Sequence, residues 1–320
     1  MILILSNENE PSTDAVIDYL IYKRANFVRI NSEDFLASAA LHIDISENSV
    51  VIGGQEINFD KINVSWYRRW NSYDVKLNLK TTFKTQIFKE IVAELDELSQ
   101  FMFLKLGEHK FLSDPQALKN HNKLYTLSLA REVGFNIPHS EIINTKNRLK
   151  EYESVEYITK PIADSFAFSG SGEYLYKTFT EPVSQDAIDN LGELFFPSLF
   201  QQRIYAEFEI RSFYLDGDFF STAILNSETL DVKRSVGFHA ERVKMVPIEL
   251  PEDIREKLKL LMAKLGLNCG SIDLIKAKDG KFYFLEVNPI GQFLGYSNAC
   301  NYQIETKIAN WLIKNDHGEI

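Results

Sequence analysis

The stretch from Ser271 to Val287 constrains this chain most. Two apolar-rich runs, Ser271-Ile272-Asp273-Leu274-Ile275 and Phe282-Tyr283-Phe284-Leu285-Glu286-Val287, flank Asp279-Gly280, a dipeptide that closes two-residue hairpins. With Asp279 and Gly280 as the central turn residues, Lys278 opposes Lys281, every opposed pair sums to the same value, and Asp273 falls opposite Glu286. Directly opposed side chains on one sheet face have Cβ atoms about 4.5–5.5 Å apart, and Asn288, two residues past Glu286, returns to that face. Carboxylates so placed repel, whereas a hard divalent cation turns the repulsion into attraction and accepts the amide oxygen as well. The hairpin thus predicts a magnesium site of Asp273, Glu286 and Asn288. The alternative, a solvent-facing hairpin with incidental acids, is weakened by the apolar Ile272, Leu274, Phe284, Leu285 and Val287 around them.

Other residues suit a polyphosphate. Lys160 ends the run Tyr157-Ile158-Thr159 just before Pro161 and the segment Ser165-Phe166-Ala167-Phe168-Ser169-Gly170-Ser171-Gly172. Backbone N–H groups in such a loop can approach phosphate oxygens while the ammonium neutralises their charge. By itself a Ser/Gly loop is more often a plain connector, and Lys123, on a helix, more often solvated surface. Gln201-Gln202-Arg203-Ile204 and Glu209-Ile210-Arg211 offer an extended backbone edge, a carboxylate and a guanidinium within short reach. The edge could read a purine, Glu209 could accept from ribose hydroxyls, and Arg211 could stabilise transferred phosphoryl charge. The competing reading is a charged pair on an edge strand.

Around these residues the chain alternates strands and helices. Strand 1–6, a helix from about Pro11 to Arg24 and a strand Phe27–Ile30 open an α/β layer. Strands at Leu41–Ser46, Val50–Phe59 and Val64–Tyr67 precede the longest expected helix, Thr81–Leu106. Asp114-Pro115 opens the next helix, and the one carrying Lys123 ends near Gly134. A helix from about Ser184 to Leu194, strands Leu199–Ile204, Glu209–Leu215 and Phe219–Leu225, a polar segment Asn226–Arg242, and helices Glu252–Leu265 and Gln303–Lys314 complete the pattern. A net charge of -10 disfavours a general nucleic-acid binder, which needs a basic face. No stretch approaches the roughly 20 apolar residues of a membrane span, and Met1–Leu5 lacks a signal peptide's basic flank and length. Cys269 and Cys300 form no CxxC pair, so the cytoplasm is the expected compartment. Trp66-Tyr67-Arg68-Arg69-Trp70 could contact a peptide carboxylate, but aromatic packing between domains is the simpler account.

Taken in order, Asn122-Lys123, Ile158-Thr159-Lys160-Pro161, Phe200-Gln201-Gln202, Glu209-Ile210-Arg211, Asp273 and Phe284-Leu285-Glu286-Val287-Asn288-Pro289-Ile290-Gly291-Gln292-Phe293 resemble the ATP-grasp superfamily. The last string is similar to the FLEVNPxGQF segment of graspetide synthetases, the microviridin-type peptide ligases. Ile4-Leu5-Ser6-Asn7-Glu8 and Val28-Arg29-Ile30-Asn31-Ser32-Glu33-Asp34 look like the grasp-with-spasm branch. The resemblance implies α/β and α+β architecture: a pre-ATP-grasp N-terminal α/β domain over 1–114, a central ATP-grasp subdomain over 115–198 and a C-terminal one over 199–320. It also implies ATP and Mg2+ as cofactors. Lys123 and Lys160 would touch phosphates, Gln201, Gln202, Arg203 and Ile204 would line the adenine, and Glu209 would meet the ribose. Asp273, Glu286 and Asn288 would be metal ligands, with Arg211 and Lys160 in the catalytic role. Gln202 departs from a glutamate common in the family and Tyr205-Ala206 from a Pro-Lys pair, while Asp231-Val232-Lys233-Arg234 matches its Asp-x-Arg only loosely. The implied partner is a leader-bearing ribosomal precursor peptide, with no nucleic acid or membrane and a homodimer left open. Asp or Glu side chains of that peptide would be joined to Ser or Thr hydroxyls or Lys amines. Two other functions remain open: a free-standing ligase of the glutamate-adding type, and an ATP-binding scaffold without turnover.

Overall fold

The computed structural model of the chain describes residues 1–35, 40–52, 54–70, 82–107, 109–150, 156–163, 167–169, 175–177, 180–225 and 244–316. They fall into two compact units: Met1–Asn120 with Gly266–Gly270 and Pro289–Ile320, and His121–Leu265 with Ser271–Asn288.

The first unit opens with β1 (Ile2–Ser6), α1 (Pro11–Tyr22) and β2 (Phe27–Asn31), followed by the antiparallel meander β3 (Leu41–Asp44), β4 (Ser49–Ile52) and β5 (Gln55–Asn58). Then come β6 (Val64–Tyr67), α2 (Lys84–Leu106), β7 (Lys110–Leu112) and α3 (Pro115–Lys119). Strands pair in parallel in the order β2-β1-β6-β7. Ile2 through Leu5 are wholly buried, as a continuous apolar run demands when both faces of a parallel strand are covered. Leu3 and Leu5 join Val28, Ile30, Phe59, Met102 and Phe103 in one core. The aromatic cluster has partners within this unit: Trp66 is buried in β6, and Tyr67 and Trp70 meet the Phe103 ring edge-on at 5.6 and 5.7 Å. Strand β7 was not expected, because three residues carry no readable alternation.

The second unit runs through α4 (Lys123–Glu132), β8 (Ser140–Thr145), α5 (Lys146–Lys150), β9 (Tyr157–Lys160), β10 (Ala167–Ser169), β11 (Leu175–Lys177), β12 (Glu181–Pro182) and α6 (Gln185–Asp189). It continues with β13 (Leu194–Gln202), β14 (Ala206–Leu215), β15 (Asp218–Leu225), β16 (Lys244–Ile248), α7 (Glu252–Lys264), β17 (Cys269–Ala277), which belongs to this unit from Ser271 on, and β18 (Phe282–Asn288). Among the described residues three sheets result, of order β12-β9-β13-β8, β16-β15-β14-β17-β18 and the two-stranded β10-β11. Helix α6 stops at Asp189, short of the expected Leu194, and that residue instead begins β13, where it pairs with Thr145. Of the Ser/Gly segment 165–172 only Ala167–Ser169 is described, as a strand paired with β11, and the polar segment 226–242 lies outside the described residues.

The chain returns to the first unit with α8 (Leu294–Ala299) and α9 (Ile304–Asp316), which buries Ile304, Ile308 and Leu312. Asp316 anchors that helix by accepting from Asn63 and pairing with the N-terminal amine at 2.5 Å. Among the described residues no helix is long and apolar enough to cross a membrane.

Candidate nucleotide and metal site

Asp273 lies directly opposite Glu286, by a route different from the expected one. The hairpin loop holds three residues rather than two: Ala277 N donates to Lys281 O at 2.9 Å, and Gly280 N donates to Ala277 O at 2.9 Å. Gly280 takes φ +84°, the left-handed conformation that closes three-residue loops of this kind. That loop shifts the pairing by one residue, giving Ile275↔Tyr283 and Leu274↔Phe284. An irregularity between Asp273 and Leu274 then restores it, with Leu285 as the extra residue. The bulge also orients the acid. In a regular strand Phe284 and Glu286 would share a face. Here Phe284 and Val287 are buried, Phe284 with its ring 5.7 Å from that of Phe135, while Glu286 remains partly accessible.

Cations gather around this pair of acids. Lys160 Nζ is 3.8 Å and Lys123 Nζ 4.0 Å from Glu286 Oε2, and Arg211 Nη2 is 3.5 Å from Asp273 Oδ2. Each comes from a different element. Lys160 ends β9, paired with Leu199 of β13, and Arg211 sits on β14 beside β17. Lys123 is the first residue of α4, because Asn122 Oδ1 caps that helix by accepting from Leu124 N and Tyr125 N, both at 3.0 Å. A lysine at a helix N-terminus adds a cation to an end that is already electropositive, so the place favours an anion. Glu286 supplies one here. Lys123 Nζ also reaches Ala163 O at 3.4 Å. Glu209 and Arg211 lie two apart on β14 with the buried Ile210 between them, so they share a face. Asn288 pairs with Ser271 and is exposed.

The donor set fits a magnesium nucleotide. Mg2+ is usually held by one or two carboxylates together with substrate phosphates. Asp273, Glu286 and the Asn288 amide offer oxygens only, and among the described residues no three His, Cys, Asp or Glu side chains cluster as a metal cage. Nor is there a thiol nucleophile at Cys269, whose thiol burial pushes up to about 11.

In the stretch 201–204 two backbone donors are already taken. Strand β13 runs between β9 and β8, Gln202 N donates to His139 O at 2.8 Å, and Arg203 N donates to Glu156 O at 2.8 Å. Gln201 is buried and donates through Nε2 to Ser140 Oγ at 2.8 Å. Arg203 pairs with Glu156 at 2.8 Å and stacks 4.9 Å from the Tyr205 ring. Hydrogen bonds from Tyr205 and then Arg203 hold the Glu156 carboxyl below its usual range. Sequence reading missed this Glu156–Arg203–Tyr205 cluster because no local spacing links positions 47 residues apart.

Lys160→Ala is expected to weaken Mg·ADP binding about 10- to 100-fold, the worth of one lost charge-assisted bond. Its ion pair is partly exposed, so the fold should change by no more than about 1 kcal/mol. Calorimetric titration beside a melting curve checks both, and unchanged affinity removes Lys160 from the site.

Residues 1–117 match the family model for the MvdD pre-ATP grasp domain. Comparison with curated protein sequences gives no match. Among solved structures, the chain is similar to the macrocyclase MdnC from Microcystis aeruginosa MRC bound with precursor peptide MdnA. Identity is 25%, covering 98% of this chain and 100% of that one, with a TM-score of 0.84. A Chryseobacterium gregarium RiPP-associated ATP-grasp ligase, in complex with ADP and a leader and core peptide, is 22% identical over 98% and 96% of the chains, with a TM-score of 0.81. The ATP-grasp ligase PsnB, complexed with minimal precursor, Mg and ADP, has the same fold at 18% identity over 98% and 97%, with a TM-score of 0.78. Residues 1–117 thus form an MvdD-type pre-ATP-grasp domain, and the chain as a whole has the ATP-grasp fold it shares with these ligases.

Proposed function

We propose that the protein is an ATP-dependent peptide ligase that cross-links side chains of a leader-bearing ribosomal precursor. One observation carries this reading: Asp273 and Glu286 oppose each other with Lys123, Lys160 and Arg211 against them. Asp273, Glu286 and Asn288 would hold magnesium, which when bound neutralises the phosphate charge that opposes in-line transfer. Lys123 and Lys160 exchange their contact with Glu286 for phosphate oxygens. Gln201 to Ile204 and Glu209 form the nucleoside side of the site, within the three-part division at about residues 114 and 198. Arg211 stabilises the equatorial oxygens of the phosphoryl group in flight.

An Asp or Glu carboxylate oxygen of the peptide attacks the γ-phosphorus of ATP. The bond from that phosphorus to the β–γ bridging oxygen breaks, giving an acyl phosphate and ADP. A Ser or Thr hydroxyl or a Lys amine then attacks the acyl carbon, phosphate leaves, and the nucleophile loses its proton to solvent. Each cross-link removes one water from the peptide and consumes one ATP. The peptide complexes of MdnC and of the Chryseobacterium gregarium ligase support a precursor as substrate.

Mass spectrometry of a precursor incubated with enzyme and Mg·ATP tests this reading. Loss of one water per bond with stoichiometric ADP is expected. A gain of residue mass points instead to an amino-acid ligase, and no ADP release with any carboxylate peptide points to a scaffold. Removing the leader is expected to lower kcat/KM about 10²-fold, since a tethered core reacts at a raised effective concentration. Equal turnover with and without leader refutes leader dependence.

A further inference from the structure

In a parallel sheet ordered β2-β1-β6-β7, the winding reverses between β1 and β6. The crevice at the carboxyl ends of two such strands is where open α/β sheets ordinarily take a ligand. In this chain it holds Arg68, the residue after β6, whose side chain is only 4% exposed. Its Nη1 donates to the carbonyls of Ile290 at 2.7 Å and Gly291 at 3.1 Å. Its Nη2 donates to Ser12 Oγ at 3.3 Å and to Gln292 Oε1 at 3.4 Å, and the Phe293 ring lies 5.3 Å from Cζ. Ser12 Oγ donates to the same Gln292 oxygen at 2.9 Å. The counter-ion is Glu10, the N-cap of α1, with Oε2 at 3.4 Å from Arg68 Nε.

A guanidinium is costly to bury, and such groups are best attested where they fix register. Arg68 meets two successive carbonyls through Nη1 while Nη2 serves Ser12 and Gln292, a planar spread of donors that a lysine's point charge cannot reproduce. The carbonyls belong to Pro289–Phe293, joined through one peptide bond to Asn288 at the end of β18. We propose that Arg68 is a positioning residue: the switch point receives the chain's own Pro289–Phe293 segment as its ligand, and Arg68 thereby fixes where β18 ends and how Asn288 and Glu286 present their oxygens. The proposal rests on the reading of those two residues as metal ligands.

The test uses the full chain with Arg68→Lys, and with Gln292→Ala as a second variant whose exposed side chain leaves folding undisturbed. Hydrogen exchange of residues 289–293 without nucleotide, and Mn2+ binding in the presence of ADP by electron paramagnetic resonance, are measured beside melting curves. Arg68→Lys is expected to speed exchange in 289–293 while β1 and β6 stay protected. It should also weaken Mn2+ binding roughly 10-fold, as losing a partner that orients a metal ligand does. Gln292→Ala should move both readings the same way. Folded variants with wild-type exchange and wild-type Mn2+ affinity overturn the proposal. Wild-type protein that takes up no Mn2+ with ADP also overturns it, by removing the site that Arg68 serves; that failure is distinguished by the wild-type measurement alone.

Discussion

Replacing Glu286 by glutamine is expected to lower ADP release and peptide dehydration by at least about 10²-fold at saturating magnesium, the scale on which one preorganised charge contact acts in a transition state. The substitution keeps size and shape, and so isolates charge. Glu286 is the acid that two lysines approach and that stands across from Asp273. Its loss leaves Lys123 and Lys160 without that partner and removes one of two carboxylates available to the metal. From the sequence, opposed carboxylates repel, so removal of one charge is expected to stabilise the metal-free protein. The structure gives each acid a cation, Arg211 for Asp273 and the lysines for Glu286, so little repulsion remains to relieve. Those pairs are partly exposed, with Glu286 at 24% and Lys160 at 15%, and removing them costs about 0–1 kcal/mol. Activity and melting temperature should therefore separate: turnover collapses while the melting curve barely moves. Near-normal turnover in a folded Glu286→Gln protein would withdraw the physical support for a ligase.

The same residues show what was legible in the sequence and why. Asp273 and Glu286 were found opposite each other because two deviations from a regular hairpin cancel. The three-residue loop at Lys278–Gly280 shifts the pairing by one, and the bulge at Leu285 shifts it back. Neither has an unambiguous local signature, since Asp279-Gly280 serves either loop and a bulge depends on which of Phe284 and Leu285 the core accepts. Burial decides for Phe284, which is fully enclosed. The α/β opening was legible because buried parallel strands are continuous apolar runs, as Ile2–Leu5 is. What sequence could not give were pairings over long separations: Lys160 with Glu286, Arg203 with Glu156, and Arg68 with Ile290 and Gly291. An arginine beside aromatic residues suggests a binding surface. Burying it against two carbonyls 222 and 223 residues away is a fact of topology alone.

Glu10→Gln is expected to destabilise the first unit by about 3–5 kcal/mol near neutral pH, because it leaves the buried Arg68 cation without its counter-ion. Glu10 is 1% exposed and does several things at once. It accepts from Thr13 N at 2.6 Å and Thr13 Oγ1 at 2.9 Å, closing the first turn of α1, while Arg68 and Arg69 face it. Glutamine can still cap the helix through its amide oxygen, so the loss reports mainly on charge. Burial alone would raise the Glu10 carboxyl; Arg68, the two Thr13 hydrogen bonds and Arg69 outweigh it and hold the group below its ordinary 4.5. A carboxyl lowered by folding contributes stability that is present above its unfolded value and fades as pH falls through the lower folded one. The gap between wild type and Glu10→Gln should therefore be widest from neutral pH down to about 5, then close as acid protonates Glu10 and makes the wild type resemble the variant. At roughly 2–4 °C per kcal/mol the gap is about 10 °C in melting temperature. Paired melting curves over a pH series measure it. A gap that stays constant into acid would mean that packing, rather than the Glu10–Arg68 charge pair, holds α1 to the end of β6. With the pair intact, the same acidification should loosen Pro289–Phe293 before the rest of the unit, since Arg68 holds that segment and Glu10 holds Arg68.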